Sequence, residues 1–320
     1  MLERCEITLV TIVQKLSASV EKEKIDEEIA KKLDVVNFCS ASNTIRIADL
    51  GCGTGSNTFI AMRNLIEAVV KKYQSLCIKL PLPEFQVFFN DQASNDFNTL
   101  FNVLPEGNTL QPVCQVLSIA ELCDKNSLAC NKGRVHYTSA PNEVFHAYSA
   151  QFAKDVDNFL NARAKELVHG GLMIMILSGI TEGTPYSQIP TGTVFDMIAA
   201  ILLDMATEGL IHKDQVDTFN LPFYAASPEM IAGLVEKNGH FNIERLELTN
   251  PSELLEGPVD SRAWIMHLRA AMEDIFTKHF GREITNQMFE QLIRKLSSYS
   301  AKPESRSNDK VQLFIVLKSK

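Results

Sequence analysis

Apolar residues recur along this chain at two spacings, which predict an alternation of helices and strands. Between Ser17 and Leu33 they recur at helical spacing among Glu and Lys residues, as in an amphipathic helix. The apolar run from Ile45 to Leu50 predicts a buried strand, a second helical pattern begins at Ile60, and Phe85 to Phe89 predicts another strand. Strand, helix and strand in this order predict parallel strands joined by a crossover, and therefore an α/β fold.

The second half of the chain continues the alternation with fewer strands. The sequence predicts a long helix from Asn142 to Val168, a helix stop at His169-Gly170-Gly171, and an apolar strand in the LMIMIL stretch that follows. Further helices are predicted at 193–208, 264–279 and 286–296, and further strands at 241–248 and 311–317. We expect one unit of 320 residues, long enough to bury a sizeable core.

Composition and charge exclude several classes of protein. A chain with 45% apolar and 22% charged residues is typical of a globular protein. A net charge of -8 provides no basic stripe for nucleic-acid phosphates. No stretch approaches the roughly 18 apolar residues of a membrane span, and the N-terminal residues do not read as a secretory signal. Seven cysteines without CxxC pairing indicate reduced thiols, so we expect a cytoplasmic protein without nucleic-acid or membrane partners.

A glycine-rich turn follows the first predicted strand, in TIRIADLGCGTGSNTF at residues 44–59. Gly51 and Gly53 let the backbone approach a ligand closely, and the next helix presents unpaired N–H groups. A dinucleotide fingerprint is G-x-G-x-x-G, whereas this chain has G-x-G-x-G preceded by Asp49. The spacing therefore disfavours NAD and favours S-adenosylmethionine, whose amino acid end needs a close backbone and a nearby acid but which has no pyrophosphate.

A second acid, Asp91, follows the next predicted strand. In nucleotide-binding α/β folds a carboxylate at this place accepts hydrogen bonds from ribose hydroxyls. From the residues alone, the glycine turn also fits a tight connection and Asp49 also fits a cap of that turn. Cys52 is interpreted as a small residue that the turn tolerates, because no basic partner is nearby in sequence to activate its thiol.

The stretches ADLGCGTGSNTF and FQVFFNDQASNDFNTLF resemble the plant SABATH methyltransferases, which methylate small carboxylic acids or, in the caffeine pathway, ring nitrogens. NKGRVHYT at 131, EGLIHKDQVDTFNLPFYAASPEM at 208 and LFIVLK at 313 extend the resemblance over nearly the whole chain. The loganic and farnesoic acid type is nearest. The resemblance implies a Rossmann-like class I methyltransferase sheet with helices on both faces and an α-helical cap. The core would cover about 17–178, 230–249 and 310–320, the cap about 179–229 and 250–300, and the protein would be a homodimer.

The resemblance also implies which residues bind the cofactor and the substrate. Asp91 would hold the ribose, with Gln92 beside it. Gln14 is the candidate substrate residue, because its amide can donate to a carboxylate oxygen, although it fits a solvent-facing helix position equally well. No general base is expected, because a carboxylate is already ionised at pH 7. The methionine end of the cofactor would be lined by Asp49, Cys52 and Asn57, and Gly51 belongs to the same cofactor-binding set.

A magnesium position is implied by the resemblance as well. Oxygen ligands of the kind present here suit a hard cation, although methyl transfer to a carboxylate does not require one. The DTFN stretch at 217–220 fits a helix-capping loop too. The matching residues are Asn131, Asp217, Phe219 through its backbone oxygen, and Asn220.

The sequence departs from the family pattern between Asn108 and Asp124. The family continues there through G-V-P-G-S-F-Y and H-S-S-Y-x-L-x-W-L-S, whereas this chain passes almost directly into DKNSLACNKG. The missing block would include a strand inside the parallel sheet and part of the acid pocket.

As a whole, the resemblance implies an enzyme that forms methyl esters of a small plant carboxylic acid. An impaired or inactive homologue and an N-methyltransferase of the caffeine-pathway type are the alternatives.

Overall fold

The computed structural model describes residues 5–11, 21–41, 43–53, 57–76, 82–91, 96–97, 100, 122, 124, 127–185, 191–250, 261–299 and 312–320. The strands in these residues are β1 (Cys5–Thr11), β2 (Thr44–Leu50), β3 (Glu84–Asn90), β4 (Leu167–Ser178), β5 (Phe241–Thr249) and β6 (Gln312–Ser319). The helices are α1 (Lys22–Lys32), α2 (Val35–Ala41), α3 (Asn57–Ser75), α4 (Asn142–Glu166), α5 (Gly192–Thr207), α6 (Lys213–Asp217), α7 (Pro228–Asn238), α8 (Ser261–Phe280) and α9 (Arg282–Tyr299).

The strands form one mixed sheet in the order β3-β2-β1-β4-β6-β5. The first four strands in this order are parallel to one another. β6 is antiparallel to both β4 and β5. The parallel pairing of β2 with β3 places Thr44 opposite Glu84, which is the arrangement that the strand-helix-strand order predicts. The predicted α/β fold is confirmed.

Helices cover both faces of the sheet. Successive residues of a strand point to opposite sides, so neighbouring residues of β4 pack against different helices. Ile174 and Ile176 of β4 belong to an apolar cluster with residues of α1 and α3. Met173 and Met175 belong to a second cluster with residues of α4 and α7. A third cluster joins α5, α6, α8 and α9 and contains no residue of the described strands.

The boundary between α4 and β4 differs from the prediction. The helix ends at Glu166, because Leu167 has an extended backbone with φ of -85° and ψ of 143° and pairs with Cys5 of β1. The predicted helix stop at His169-Gly170-Gly171 is therefore wrong, since these residues lie inside β4. Pairing with a distant strand overrides the local signal of the two glycines.

β1 is a strand that the apolar pattern did not predict. It lies between β2 and β4, so the parallel part of the sheet is continuous in the described residues. The expected loss of a strand with the missing block falls on residues outside the described structure. Ile7 and Leu9 of β1 are fully buried, which stabilises the strand through apolar contacts with both neighbours and the covering helices.

Candidate functional site

The turn after β2 is held by the end of β3. Gly51 and Gly53 have φ angles of 91° and 60°, in the left-handed region that glycine adopts at low cost. The N–H groups of Gly51 and Cys52 donate to the carbonyl oxygen of Asn90 at 2.8 and 3.2 Å. The N–H of Gly53 donates to Oδ2 of Asp91 at 2.5 Å. The structure therefore brings together the glycine turn and the acid that the sequence singled out.

Asp49 lies two residues before the turn and is only 3% exposed. The hydroxyl of Thr58, in the first turn of α3, donates to its carboxylate. Burial raises the pKa of Asp49 to about 7, the hydrogen bond from Thr58 lowers it, and the negative charge of Asp91 raises it. The site therefore contains an acid whose ionisation changes near neutral pH.

Cys52 lies inside the turn and is buried. Burial raises the pKa of its thiol to about 12, and the charges of Asp49 and Asp91 contribute to the rise. A thiol with this pKa is protonated at neutral pH and is a poor nucleophile. The structure thus agrees with the interpretation of Cys52 as a small residue of the turn.

Three predicted residues lie wholly or partly beyond the described structure. Gln14 and Gln92 are outside the described residues. Asn57 is the first residue of α3, directly after the turn, and its side chain is likewise outside them. The start of α3 is close to the turn in the chain, and the first N–H groups of a helix have no partner within the helix and favour negative ligand groups.

The predicted magnesium residues come together from two stretches that are far apart in the chain. Asn131 is fully buried, and its Nδ2 donates to Oδ1 of Asn220 at 2.8 Å. Oδ1 of Asp217 accepts from the N–H of Gly133 at 2.8 Å. The ring of Phe219 is buried against aromatic rings of α8, which holds the backbone between Asp217 and Asn220 in place.

One buried oxygen in this group makes no hydrogen bond. Oδ1 of Asn131 has no partner within the described part of the chain. A buried carbonyl oxygen in this state costs free energy unless a cation or a water molecule interacts with it. Amide, carboxylate and backbone oxygens are the ligands of hard cations, so these residues fit magnesium. No group of three or more His, Cys, Asp or Glu in the described ranges is arranged for a metal, so a cation here depends on amide and backbone oxygens beside the single carboxylate of Asp217.

His136 adjoins the predicted magnesium residues and is part of the core. Its Nδ1 lies 2.5 Å from Oγ1 of Thr138, and its Nε2 lies 3.1 Å from the carbonyl oxygen of Phe223. A proton on Nε2 satisfies both contacts, because the ring then donates to the carbonyl and accepts from the hydroxyl. Burial lowers the pKa of His136 to about 3, so the ring is neutral. The carbonyl oxygen of His136 accepts from Nδ2 of Asn131 at 3.3 Å, which connects the two groups.

Comparison with known proteins identifies the family. A family model described as SAM dependent carboxyl methyltransferase matches residues 11–119 and 115–320. The chain belongs to this family. The resemblance to the SABATH methyltransferases is thereby confirmed, and S-adenosylmethionine is the cofactor of the family. The chain is an enzyme of the S-adenosylmethionine-dependent carboxyl methyltransferase class.

Several named proteins are similar over most of the chain. Loganic acid O-methyltransferase of Catharanthus roseus is 37% identical over 336 residues, covering 96% of this chain and 90% of the relative. Farnesoic acid carboxyl-O-methyltransferase of Arabidopsis thaliana is 33% identical and covers 93% and 91%. Paraxanthine methyltransferase 2 of Arabidopsis thaliana is 35% identical and covers 87% and 85%. A solved structure of loganic acid methyltransferase with SAH has a TM-score of 0.84 at 36% identity and covers 96% and 94%.

The comparisons also locate the departure from the family. The alignment with the Catharanthus roseus methyltransferase spans 336 positions, more than the 320 residues of this chain, so the relative has residues without a counterpart here. The family match divides at residues 115–119, inside the stretch where the sequence departs from the family pattern. The match begins at residue 11, which is the last residue of β1.

Proposed function

We propose that this methyltransferase acts on the carboxylate of a small, largely apolar plant acid and forms its methyl ester. The observation that carries the proposal is the hydrogen bond between Asp91 and the turn at Gly53, beside the buried Asp49, in a chain of the carboxyl methyltransferase family. The relatives named for loganic acid and farnesoic acid support a small acid as the substrate class.

The residues around the turn are proposed to hold the cofactor at three points. The missing side chains of Gly51 and Gly53 leave space for the methionine end. Asp49, in its ionised form, attracts the ammonium group of that end. Asp91 accepts hydrogen bonds from the ribose hydroxyls and at the same time holds the N–H of Gly53. The remaining proposed cofactor residues are Cys52, Asn57 and Gln92.

The chain is proposed to contribute orientation and not proton transfer. S-adenosylmethionine supplies an activated methyl group on a positively charged sulfur. The acid is ionised at neutral pH, so no residue of the chain has to remove a proton. Gln14 would donate its amide N–H to one carboxylate oxygen and direct the other oxygen towards the methyl group. Such placement contributes up to about 7 to 11 kcal/mol in well-oriented model reactions.

Two experiments, performed one after the other, test the proposal. Titration calorimetry with S-adenosylhomocysteine measures cofactor binding, and mass spectrometry then detects methyl esters formed from a panel of small carboxylic acids. Binding followed by ester formation is the expected result. Binding with methylation of xanthines, and none of acids, would instead assign the chain to the N-methylating branch that the paraxanthine relative represents.

The absent block favours a second candidate, an inactive homologue that keeps the fold. The observation behind it is that the alignment with the Catharanthus roseus methyltransferase spans 336 positions, whereas this chain has 320 residues. Absence of S-adenosylhomocysteine binding, in a protein that circular dichroism shows to be folded, is the result that would establish this candidate and refute the proposal.

A magnesium ion is proposed at Asn131, Asp217, Asn220 and the backbone oxygen of Phe219. The unpartnered Oδ1 of Asn131 and the oxygen-rich set around it support this site. Its role there would be structural: it would tie the stretch 217–220 to the loop that carries Asn131. Methyl transfer to an ionised acid needs no metal.

The organisation of the protein beyond the site is proposed from the resemblance. The separate apolar cluster of α5, α6, α8 and α9 supports a helical cap over about 179–229 and 250–300. A homodimer is implied by the resemblance and is tested by light scattering after size-exclusion chromatography.

The free thiols of Cys5, Cys52 and Cys130 support a cytoplasmic location. Within the described ranges, none of the helices has the length and apolarity to cross a membrane.

A further inference from the structure

A strand at the centre of the sheet comes almost entirely from outside the region that matches the family. The family match begins at residue 11, whereas β1 spans Cys5–Thr11. The block missing near residues 108–124 would include a strand inside the parallel sheet, and β1 lies inside that parallel part, between β2 and β4. The first residues of the chain therefore complete the sheet that the missing block would have interrupted.

Glu6 sets the register of β1 against β2. Its Oε2 accepts from the backbone N–H of Arg46 at 2.5 Å, and its Oε1 lies 3.7 Å from the Arg46 guanidinium. Glu6 is only 5% exposed, so its charge depends on these contacts. A slip of one residue would move the carboxylate to the other face of the sheet, away from Arg46.

Gly171 adapts β4 to the same strand. The pairing of β1 with β4 passes from Cys5 opposite Leu167 to Ile7 opposite Leu172, so β4 bulges where it faces Glu6. A Cβ at Gly171 would lie 3.1 Å from the carbonyl oxygen of Glu6, tighter than ordinary contact. β4 is therefore fitted to the backbone of β1 at residue 6, whereas the Glu6 carboxylate contacts β2.

β1 also supports the strand that carries Asp49. Leu9 is paired with Asp49, and Val10 with Leu50, the residue before the glycine turn. Ile7 and Leu9 are 0% and 1% exposed, within the cluster that α1 and α3 cover. Withdrawal of β1 would expose this cluster and remove the pairing partner of β2 on the side away from β3.

We propose that the N-terminal strand β1 is a positioning element of the proposed cofactor site. Glu6 is the residue that sets the register of this strand. The strand acts through its pairing with Asp49 and Leu50, the residues that lead into the turn at Gly51. Docking of β1 and binding of the cofactor then stabilise each other, because a coupling between two equilibria is reciprocal. The inference rests on the proposed cofactor site but not on the identity of the acid.

The native thiol of Cys5 reports on the docking of β1 in the full-length protein. Cys5 is 7% exposed, and burial raises the pKa of its thiol to about 12. Modification by N-ethylmaleimide therefore requires β1 to leave the sheet. We expect slow modification in the folded protein, and a rate about 100-fold lower again when S-adenosylhomocysteine is present at 100 times its Kd. Peptide mass spectrometry separates Cys5 from Cys52, which a ligand in the turn shields directly.

Two results of this measurement would overturn the inference. One is modification of Cys5 in the folded protein as fast as in urea. The other is a rate that bound S-adenosylhomocysteine leaves unchanged. Failure of S-adenosylhomocysteine to bind in calorimetry is a different outcome: it refutes the proposed cofactor site, and the inference falls with it.

Variants of Glu6 separate positioning from general stability. Glu6→Ala is expected to speed Cys5 modification and to weaken S-adenosylhomocysteine binding at least tenfold. Glu6→Gln keeps an oxygen for the N–H of Arg46 and should restore most of that affinity. The matched control Glu23→Ala, exposed on α1, should behave like the wild type. Faster Cys5 modification with unchanged affinity in Glu6→Ala would refute the positioning role. If Glu6→Ala fails to fold, the inference is tested by the rates of Cys5 modification in the wild-type protein with and without S-adenosylhomocysteine.

Discussion

Asp91 accepts a hydrogen bond from the backbone N–H of Gly53 at 2.5 Å, so the acid after β3 holds the turn after β2. Asp91→Ala removes this contact together with the proposed ribose contacts. Affinity for S-adenosylhomocysteine should fall about 10- to 100-fold, since a hydrogen bond to a charged group contributes about 1.5 to 3 kcal/mol. Asp91→Asn keeps an acceptor for Gly53 and should lose less. Calorimetry on these variants is compared with Asp274→Ala, an exposed acid on α8; unchanged affinity in Asp91→Ala would contradict the ribose role.

Cofactor affinity should depend on pH through Asp49. Burial raises the pKa of Asp49 to about 7, so the carboxylate is ionised above that pH and neutral below it. Because the cofactor's ammonium group prefers the ionised form, affinity for S-adenosylhomocysteine should fall as pH falls through 7, approaching about tenfold per pH unit. Asp49→Asn should bind weakly with no change between pH 5.5 and 7.5. A flat wild-type profile over this range would exclude the proposed role.

Protonation of buried His136 should destabilise the folded protein in acid. The pKa of His136 is lowered by burial to about 3, against an ordinary value near 6.5. The unfolded state therefore takes up a proton first as pH falls, and the free energy of unfolding decreases from about pH 6.5 down to about pH 3. At pH 5 the loss is about 2 kcal/mol relative to His136→Gln, which lacks this proton uptake.

Urea unfolding of both proteins at pH 7.5 and pH 5 measures this difference. His146→Gln is the control, because His146 is exposed on α4. If the gap between wild type and His136→Gln is the same at both pH values, His136 is not a buried neutral histidine.

Two glycines should respond in opposite directions to the same substitution. A Cβ at Gly192, the first residue of α5, would collide with the side chain of Thr138, whose hydroxyl contacts His136. Gly192→Ala should therefore destabilise the protein by about 1 to 3 kcal/mol. Gly233 lies exposed in α7 with nothing near its Cβ position, so Gly233→Ala should stabilise by about 0.5 to 1 kcal/mol. Thermal unfolding measures both, and equal signs would contradict this packing.

Magnesium should bind through Asp217. Asp217→Asn keeps an oxygen for the N–H of Gly133 but removes the only formal charge of the proposed ligand set, so magnesium affinity should fall about tenfold or more. The melting temperature without magnesium should change little. Calorimetric titration of metal-free protein with magnesium chloride measures the affinity, and Asp274→Asn is the control. Wild-type protein that binds no magnesium would leave Oδ1 of Asn131 to a water molecule.

The elements near the glycine turn could be predicted because their signals are local. The apolar run before Gly51, the helical spacing after it and the acid at Asp91 are each read over a few neighbouring residues. Parallel pairing of β2 and β3 then brings their carboxyl ends together, since a crossover connection leaves both strands pointing the same way. The limits of α4 were missed for the opposite reason: Leu167 is extended because it pairs with Cys5, far away in the chain.

The sequence by itself determined the family, the α/β alternation and the pairing of a glycine turn with an acid, because these depend on spacing and residue type. Only the tertiary structure decided that β1 completes the sheet, that Glu6 meets Arg46, and that Asn131 and Asn220 share a hydrogen bond. Such contacts join residues that are far apart in sequence. Their free energy comes from packing and desolvation in the folded chain, which no local pattern encodes.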